Sequence, residues 1–404
     1  MMFTRFPSLP RRRLLLAAGA TALVSVACGG GGDDDHPALQ TIDSSRLQAL
    51  VGGIVTEQLV PGAVVLLRTP KGDFTSFTGT NSYRGTAPTS ADQHIRVGSV
   101  TKTWTGTVIL QQVQEGLLQL SDPIAKYVDG VPKGEQITIE QLLLMRSGLF
   151  NYSTTVAFNQ ALDDEPARVW RPEEMLAMAF AHEQSFDPGT SYEYSNTNTI
   201  LLGLAAQKVE GGKPLSDIMR DRLFRPLGLQ HTLLPAADDA SLPAPFTRGY
   251  QYGTNVQTLH PLPADMQAAA RAGTLAPIEH TNSNTSWGWS AGSGISTAND
   301  LARYVEAMVG GGLLNPQMQA ARIASVRAIV PPVPELGYGW NLARFGALYG
   351  HTGEIPGYGT FMGHDPANKV TLIVWVNLET NLEAAGAATD IARKLISEVY
   401  RPAN

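Results

Sequence analysis

Apolar positions recur along the chain with two distinct periods. Leu47, Leu50, Val51, Ile54, Val55 and Leu59 fall at helical intervals after Asp43-Ser44-Ser45, which suits a helix start. Residues 62–69 and 73–80 read as two strands joined through Pro70-Lys71-Gly72, a hairpin. Ile95-Arg96-Val97 then leads into a helix that carries Trp104, Val108, Ile109 and Val113 on one face, with Gly116 as its stop. Short helical pieces broken by Pro123, Pro132 and Gly134 follow, then a turn at Arg146-Ser147-Gly148-Leu149. Residues 173–182 and 199–209 predict two helices, the second stopped by Gly211-Gly212. The stretch 231–287 is rich in Pro, Ala, Asn and Thr with weak periodicity and reads as long surface loops. Thr297-Ala298-Asn299-Asp300 opens another helix, which Gly310-Gly311-Gly312 ends. Strand patterns return at 337–343, 347–351, 359–365 and 370–377. A last helix carries Ala388, Ile391, Ala392, Leu395, Ile396 and Val399. Strands at both ends around a helical middle predict an α+β fold. Its antiparallel sheet is built from N- and C-terminal segments, flanked by helices, with an inserted helical subdomain.

The N-terminus changes that picture. Arg5 and Arg11-Arg12-Arg13 precede an apolar run from Leu14 that ends in Val24-Ser25-Val26-Ala27-Cys28. This is a positive segment, an apolar segment short for a bilayer span, and small residues before a cleavage point. The segment resembles a bacterial lipoprotein signal over residues 1–28, with the lipid carried by Cys28. An ordinary secretory signal with an incidental cysteine is the other reading, since Ser25 stands where lipoprotein signals usually carry an aliphatic residue. The arginines also permit twin-arginine export. Residues 29–40, with four glycines and three aspartates in succession, read as a flexible tether. The expectation is an exported protein, periplasmic or at the cell surface, held to a membrane through Cys28. Residues 41–404 form its catalytic domain: an α/β part at about 41–115 and 288–404, and a helical part at about 116–287.

Composition adds limits. The 404 residues are 43% hydrophobic and 16% charged with a formal net charge of −6, which suits a globular chain with a large core. No basic excess suggests nucleic acid. Cys28 is the one cysteine, so no internal disulfide forms. The eight histidines show no metal-ligand spacing and no glycine loop cradles phosphate, so no metal or cofactor is expected.

Candidate chemistry starts at Val97-Gly98-Ser99-Val100-Thr101-Lys102. Lys102 is the lysine of this chain that has a serine three residues before it. At a helix start the two share a face, and a desolvated amine can take the proton that keeps a serine hydroxyl unreactive. Backbone N–H groups at the helix start could stabilise an oxyanion. A Ser-x-x-Lys tetrad alone also arises by chance. Two further stretches are Tyr192-Glu193-Tyr194-Ser195-Asn196, before a helix, and Gly350-His351-Thr352-Gly353-Glu354, ending a strand. A competing serine lies in Gly288-Trp289-Ser290-Ala291-Gly292, which fits the Gly-x-Ser-x-Gly elbow. Its flanks, His280 to Thr285 before and Gly292-Ser293-Gly294 after, suit neither the buried strand nor the helix that the elbow needs.

The order Ser99-Val100-Thr101-Lys102, Tyr194-Ser195-Asn196, His351-Thr352-Gly353 resembles the three signature motifs of the class C β-lactamase and DD-peptidase superfamily. The likeness extends to Leu117-Leu118-Gln119-Leu120-Ser121-Asp122-Pro123, Arg146-Ser147-Gly148-Leu149, Phe224-Arg225-Pro226-Leu227-Gly228-Leu229 and Ser290-Ala291-Gly292, and covers about residues 45 to 400. It implies a β-lactamase/transpeptidase-like fold and a serine hydrolase that works through an acyl-enzyme. In that reading Ser99 is the nucleophile, while Lys102 and Tyr194 share the general-base work. Asn196 and Thr352 hold substrate, and His351 takes the place of the usual lysine. The N–H groups of Ser99 and Glu354 form the oxyanion hole. The implied substrates are D-alanyl peptides of peptidoglycan origin or β-lactams, with an esterase as the alternative. A non-catalytic peptidoglycan-binding or β-lactam-binding protein would have lost Ser99, Lys102 or Tyr194, and all three are present. Glu354 departs from the pattern, because a carboxylate beside Thr352 repels a carboxylate-bearing substrate. Arg344 is a compensating cation or a solvated strand charge.

Overall fold

The computed structural model describes residues 39–329 and 335–400. The signal and Cys28 lie outside the described residues, as does most of the tether. Eight strands form one antiparallel sheet: β1 (Gly62–Arg68), β2 (Phe74–Gly79), β3 (Arg327–Ala328), β4 (Leu336–Tyr338), β5 (Ala343–Phe345), β6 (Leu348–Ile355), β7 (Tyr358–Asp365) and β8 (Val370–Val376). The order is β2-β1-β8-β7-β6-β5-β4-β3, so the N-terminal hairpin joins the C-terminal meander where Ala63 pairs with Val376. The sheet is therefore made from both ends of the chain, as the strand patterns predict.

Both faces of its central strands are covered, which is why the strands read as nearly continuous apolar runs. Ala63, Val65, Leu67, Leu372 and Val374 face one cluster, roofed by α1 (Ser44–Glu57) and the closing helix Ala387–Val399. Arg46 of the first helix pairs with Glu398 of the last at 2.8 Å. Val64, Leu66, Met362, Ile373 and Trp375 face the opposite cluster, which contains α2 (Thr101–Gln114) and the helical part of the chain.

Helix α2 is buried along nearly its whole length, Thr101 to Leu110 included. Its threonines bond backwards along the helix, Thr103 to the Val100 carbonyl and Thr107 to the Thr103 carbonyl, each at 2.7 Å, which satisfies their hydroxyls in an apolar setting.

Several boundaries differ from expectation. The predicted strand at 337–343 is two short strands, because the Gly339 N–H bonds the Leu342 carbonyl at 2.8 Å and Asn341 takes a left-handed φ of 45°. The strand predicted to stop near His351 runs on to Ile355. The helix expected from residue 199 is α3 (Asn196–Val209), which starts at Asn196 because Asn151 Oδ1, from a distant loop, accepts the Asn196 N–H at 3.2 Å. Within 231–287 stand a helix, Ala264–Arg271, and a ladder of Tyr250–Gln251 with Ile278–Glu279. That helix is only eight residues long and its packed face is just Ala270 with half-buried Met266 one turn earlier, too short a stripe to stand out in sequence.

Candidate active site

The cleft forms where the turn before α2 meets the edge of β6. Gly98 has φ +53°, and a Cβ on it would stand 2.6 Å from the Glu354 nitrogen. A Cβ on Gly353 would strike the Val97 carbonyl and come within 3.1 Å of the Ser99 nitrogen. Two glycines thus let backbone press on backbone, and this brings the N–H groups of Ser99 and Glu354 side by side. The Pro356-Gly357 turn joins Ile355 to its partner Tyr358. A two-residue turn makes that pair hydrogen-bonded, so alternation leaves the next pair, Glu354 with Gly359, non-bonded. The Glu354 N–H therefore points away from β7 and towards the Ser99 turn. Two converging N–H groups beside a serine hydroxyl can hold an oxyanion.

Ser99 Oγ lies 2.9 Å from Lys102 Nζ. Lys102 is fully buried and also donates to the Ala291 carbonyl at 2.8 Å, with its Nζ 4.9 Å from the centre of the Tyr194 ring. Burial lowers its amine well below the ordinary lysine value, so a neutral base next to the serine is favoured. The Tyr194 hydroxyl bonds Ser99; burial raises it well above the ordinary value and keeps it a neutral phenol that can give a proton. The backbone of Lys102 is held from outside the motif as well, by Asn341 Nδ2 on its carbonyl at 3.0 Å.

Ser99, Tyr194, Asn196, Thr352 and Glu354 all line this cleft, together with Ser153, Asn255 and Trp287. Asn196 Nδ2 donates to Ser153 Oγ at 2.8 Å. Two of the predicted residues lie elsewhere. His351 is fully buried behind the cleft wall, its Nδ1 donating to the Thr352 carbonyl at 2.5 Å and its Nε2 3.4 Å from the Tyr338 hydroxyl. Burial lowers it to about 3, so it carries no charge that could replace a lysine. Its ring packs near Tyr194, with centroids 6.2 Å apart, so it supports the site instead of touching substrate. Arg344 stands on β5, cross-strand from Tyr349 and outside the cleft lining, and supplies no cation there.

The competing Ser290 is fully buried and donates to the Thr199 carbonyl at 2.9 Å, so no nucleophile stands there. Its segment contributes a carbonyl, that of Ala291, and not a side chain. Sequence reasoning also passed over Asn341, Ser153 and Glu379. Glu379 belongs to no motif; it stands just past the end of β8, its N–H on the Tyr250 carbonyl, and lines the cleft. Among the described residues no cluster of His, Cys, Asp and Glu could hold a metal ion, and no helix is long and apolar enough to cross a membrane.

Residues 47–395 match the Beta-lactamase family. Penicillin-binding protein 4* of Bacillus subtilis is 24% identical over 76% of this chain and 66% of its own length. D-aminopeptidase of Brucella anthropi is 26% identical over 89% of this chain and 63% of its own. The chain thus spans less than two thirds of either relative. A D-stereospecific amidohydrolase from Streptomyces superposes with a TM-score of 0.75 at 28% identity, over 90% of this chain and 100% of its own.

Proposed function

The chain belongs to the Beta-lactamase family of serine hydrolases, and from that premise we propose that it cleaves small amides or esters through an acyl-enzyme on Ser99. The observation that carries this reading is the hydrogen-bonded contact of Ser99 with both Lys102 and Tyr194 at the cleft floor. Ser99 Oγ attacks the scissile carbonyl as its proton passes to the neutral Lys102 amine. The oxyanion rests on the N–H groups of Ser99 and Glu354. Tyr194 gives its proton to the departing amine or alkoxide and is reprotonated from Lys102, which leaves acyl-Ser99. Water then adds to the ester carbonyl, its proton taken through Tyr194 and Lys102, and Ser99 Oγ regains a proton on leaving.

Penicillin-binding, aminopeptidase and amidohydrolase activities are all named among similar proteins. The cleft lining favours substrates without a free carboxylate beside the scissile bond. Apart from Lys102, which is buried beneath Ser99, no Lys, Arg or His among the described residues reaches it, and its lining carries Glu354 and Glu379, whereas carboxypeptidase substrates end in a carboxylate. A neutral ester meets the same condition. Incubation with a fluorophosphonate should add one mass to the peptide containing Ser99, and that adduct should be absent in Ser99→Ala; label on Ser290 instead would overturn the assignment. We further propose export and lipidation at Cys28. Wild type should then partition into detergent and Cys28→Ser should not, whereas a wholly water-soluble wild type with a free thiol would leave the secretory reading.

A further inference from the structure

A second carboxylate faces the cleft beside the first. Glu379 follows β8 through Leu378, and its backbone is fixed by its N–H on the Tyr250 carbonyl at 3.2 Å. The residue between it and Glu354 is Gly359. Gly359 pairs with Glu354 across the strands, and a Cβ on it would meet the Glu379 carbonyl oxygen at 3.4 Å. With no side chain between them, the two glutamates stand next to each other on one wall, and both line the cleft that holds Ser99.

One oxygen of each, Oε1 of Glu354 and Oε2 of Glu379, is shut off from water and has no hydrogen-bond partner among the described residues. Burial raises the Glu354 carboxyl to about 7, and burial together with the Glu354 charge raises Glu379 to about 8. Two half-buried acids with no side-chain cation of the described residues lining the cleft beside them are costly when both are ionised unless something neutralises them. The other polar groups of the cleft floor are already bonded to one another, as Lys102 is to Ser99 and Ala291 and Asn196 is to Ser153. A proton on either acid meets the demand for neutralisation near neutral pH, and a ligand donor carrying positive charge can take the proton's place.

We propose that Glu354 and Glu379 bind a protonated primary amine of the substrate close to the scissile carbonyl. The inference rests on the serine hydrolase reading above and narrows its substrate class to amine-bearing amides and esters. An ammonium has three donors and no acceptor, so it can serve both unpartnered oxygens at once and cancel the repulsion between the two acids. The amine can sit on the acyl half, as in an aminoacyl amide, or on the leaving group, as in an aminoalkyl ester.

The test measures kcat/KM for matched pairs. Alanine p-nitroanilide, in both enantiomers, is set against its N-acetyl form. A 2-aminoethyl ester of phenylacetic acid is set against the 2-hydroxyethyl ester. One of the two pairs should favour the amine by about ten- to a hundredfold, the range for hydrogen bonds to a charged group. Glu379→Gln and Glu354→Gln should each bring that ratio towards one. The pair that responds identifies which half carries the amine. No amine preference in either pair, or a preference that survives both substitutions, would overturn the inference. p-Nitrophenyl acetate and Ser99→Ala separate this failure from that of the underlying reading. If the acetate is turned over by wild type and not by Ser99→Ala, the hydrolase stands whatever the amine ratio. If it is not turned over and no fluorophosphonate adduct forms, the hydrolase reading itself fails.

Discussion

The floor and the wall of the cleft are built on opposite terms. On the floor every reacting group already has a partner: Ser99 touches Lys102 and Tyr194, Lys102 reaches the Ala291 carbonyl, and Asn341 fixes the backbone of the same helix turn. On the wall Glu354 and Glu379 each keep an oxygen that is buried and unbonded. A satisfied network is rigid and pre-set for a reaction common to many substrates, whereas an unsatisfied one is completed by a particular substrate. The difference separates what makes this chain a hydrolase from what makes it selective.

The strongest way to break that division is to act on the floor. Lys102→Met keeps the stem of the side chain and removes the amine, so it should lower kcat/KM by about a hundred- to ten-thousandfold on every substrate. Wild-type kcat/KM on a neutral ester should rise with pH as Lys102 loses its proton, with a midpoint below the ordinary 10.5. The ascending limb should disappear in Lys102→Met. A surviving limb would transfer the base role to another group.

A smaller effect is expected where floor and wall join. Gly98→Ala combines a φ of +53° with a Cβ 2.6 Å from the Glu354 nitrogen and 2.8 Å from its carbonyl oxygen. It should push β6 off the Ser99 turn, cost about 1–3 kcal/mol of stability and spoil the oxyanion donors. Gly116→Ala is the control, since Gly116 has φ +72° and nothing within 4 Å of the added Cβ. Denaturant melts and kcat/KM together separate the two: Gly116→Ala should lose stability alone. If Gly98→Ala also lost stability alone, the close approach at Glu354 would not set the reaction geometry.

The floor was largely legible in the sequence and the wall was not. Ser99 and Lys102 lie one helical turn apart, a local relation that spacing reports directly. Tyr194 and Asn196 were marked by their motif, although the start of α3 was not, because its first N–H is met by Asn151 from elsewhere in the chain. The motif places His351 at the substrate, yet it lies behind the wall, bonded to the Thr352 carbonyl. Thr352 and Glu354, two residues apart on β6, do share the cleft, as strand alternation requires. Glu379 could not be foreseen, because its position depends on the register of β8 against β7 and on the missing side chain of Gly359. The sheet itself was clear because its strands are apolar on both faces. The helix Ala264–Arg271 is hidden because its packed face is one short turn, Met266 to Ala270.

The smallest predicted effect tests the wall without any substrate. With folded values of about 7 and about 8 against an ordinary 4.5, Glu354 and Glu379 hold protons in the folded chain that the unfolded chain has released. Below about pH 4.5 both states are protonated and the burial costs little. As pH rises towards 8 the unfolded state binds fewer protons than the folded one, so this contribution to stability is lost. Lys102 and His351 act in the other sense, because burial lowers both and the unfolded chain holds their protons longer. The wild-type pH profile is therefore a sum of opposing slopes, and the informative quantity is a difference. Tm of Glu379→Gln minus Tm of wild type should be small at pH 5 and grow steadily more positive to pH 8, because glutamine keeps the shape and has no proton to lose. A difference that stays flat across this range would mean that water or an ion already neutralises Glu379, and the wall would then be as satisfied as the floor.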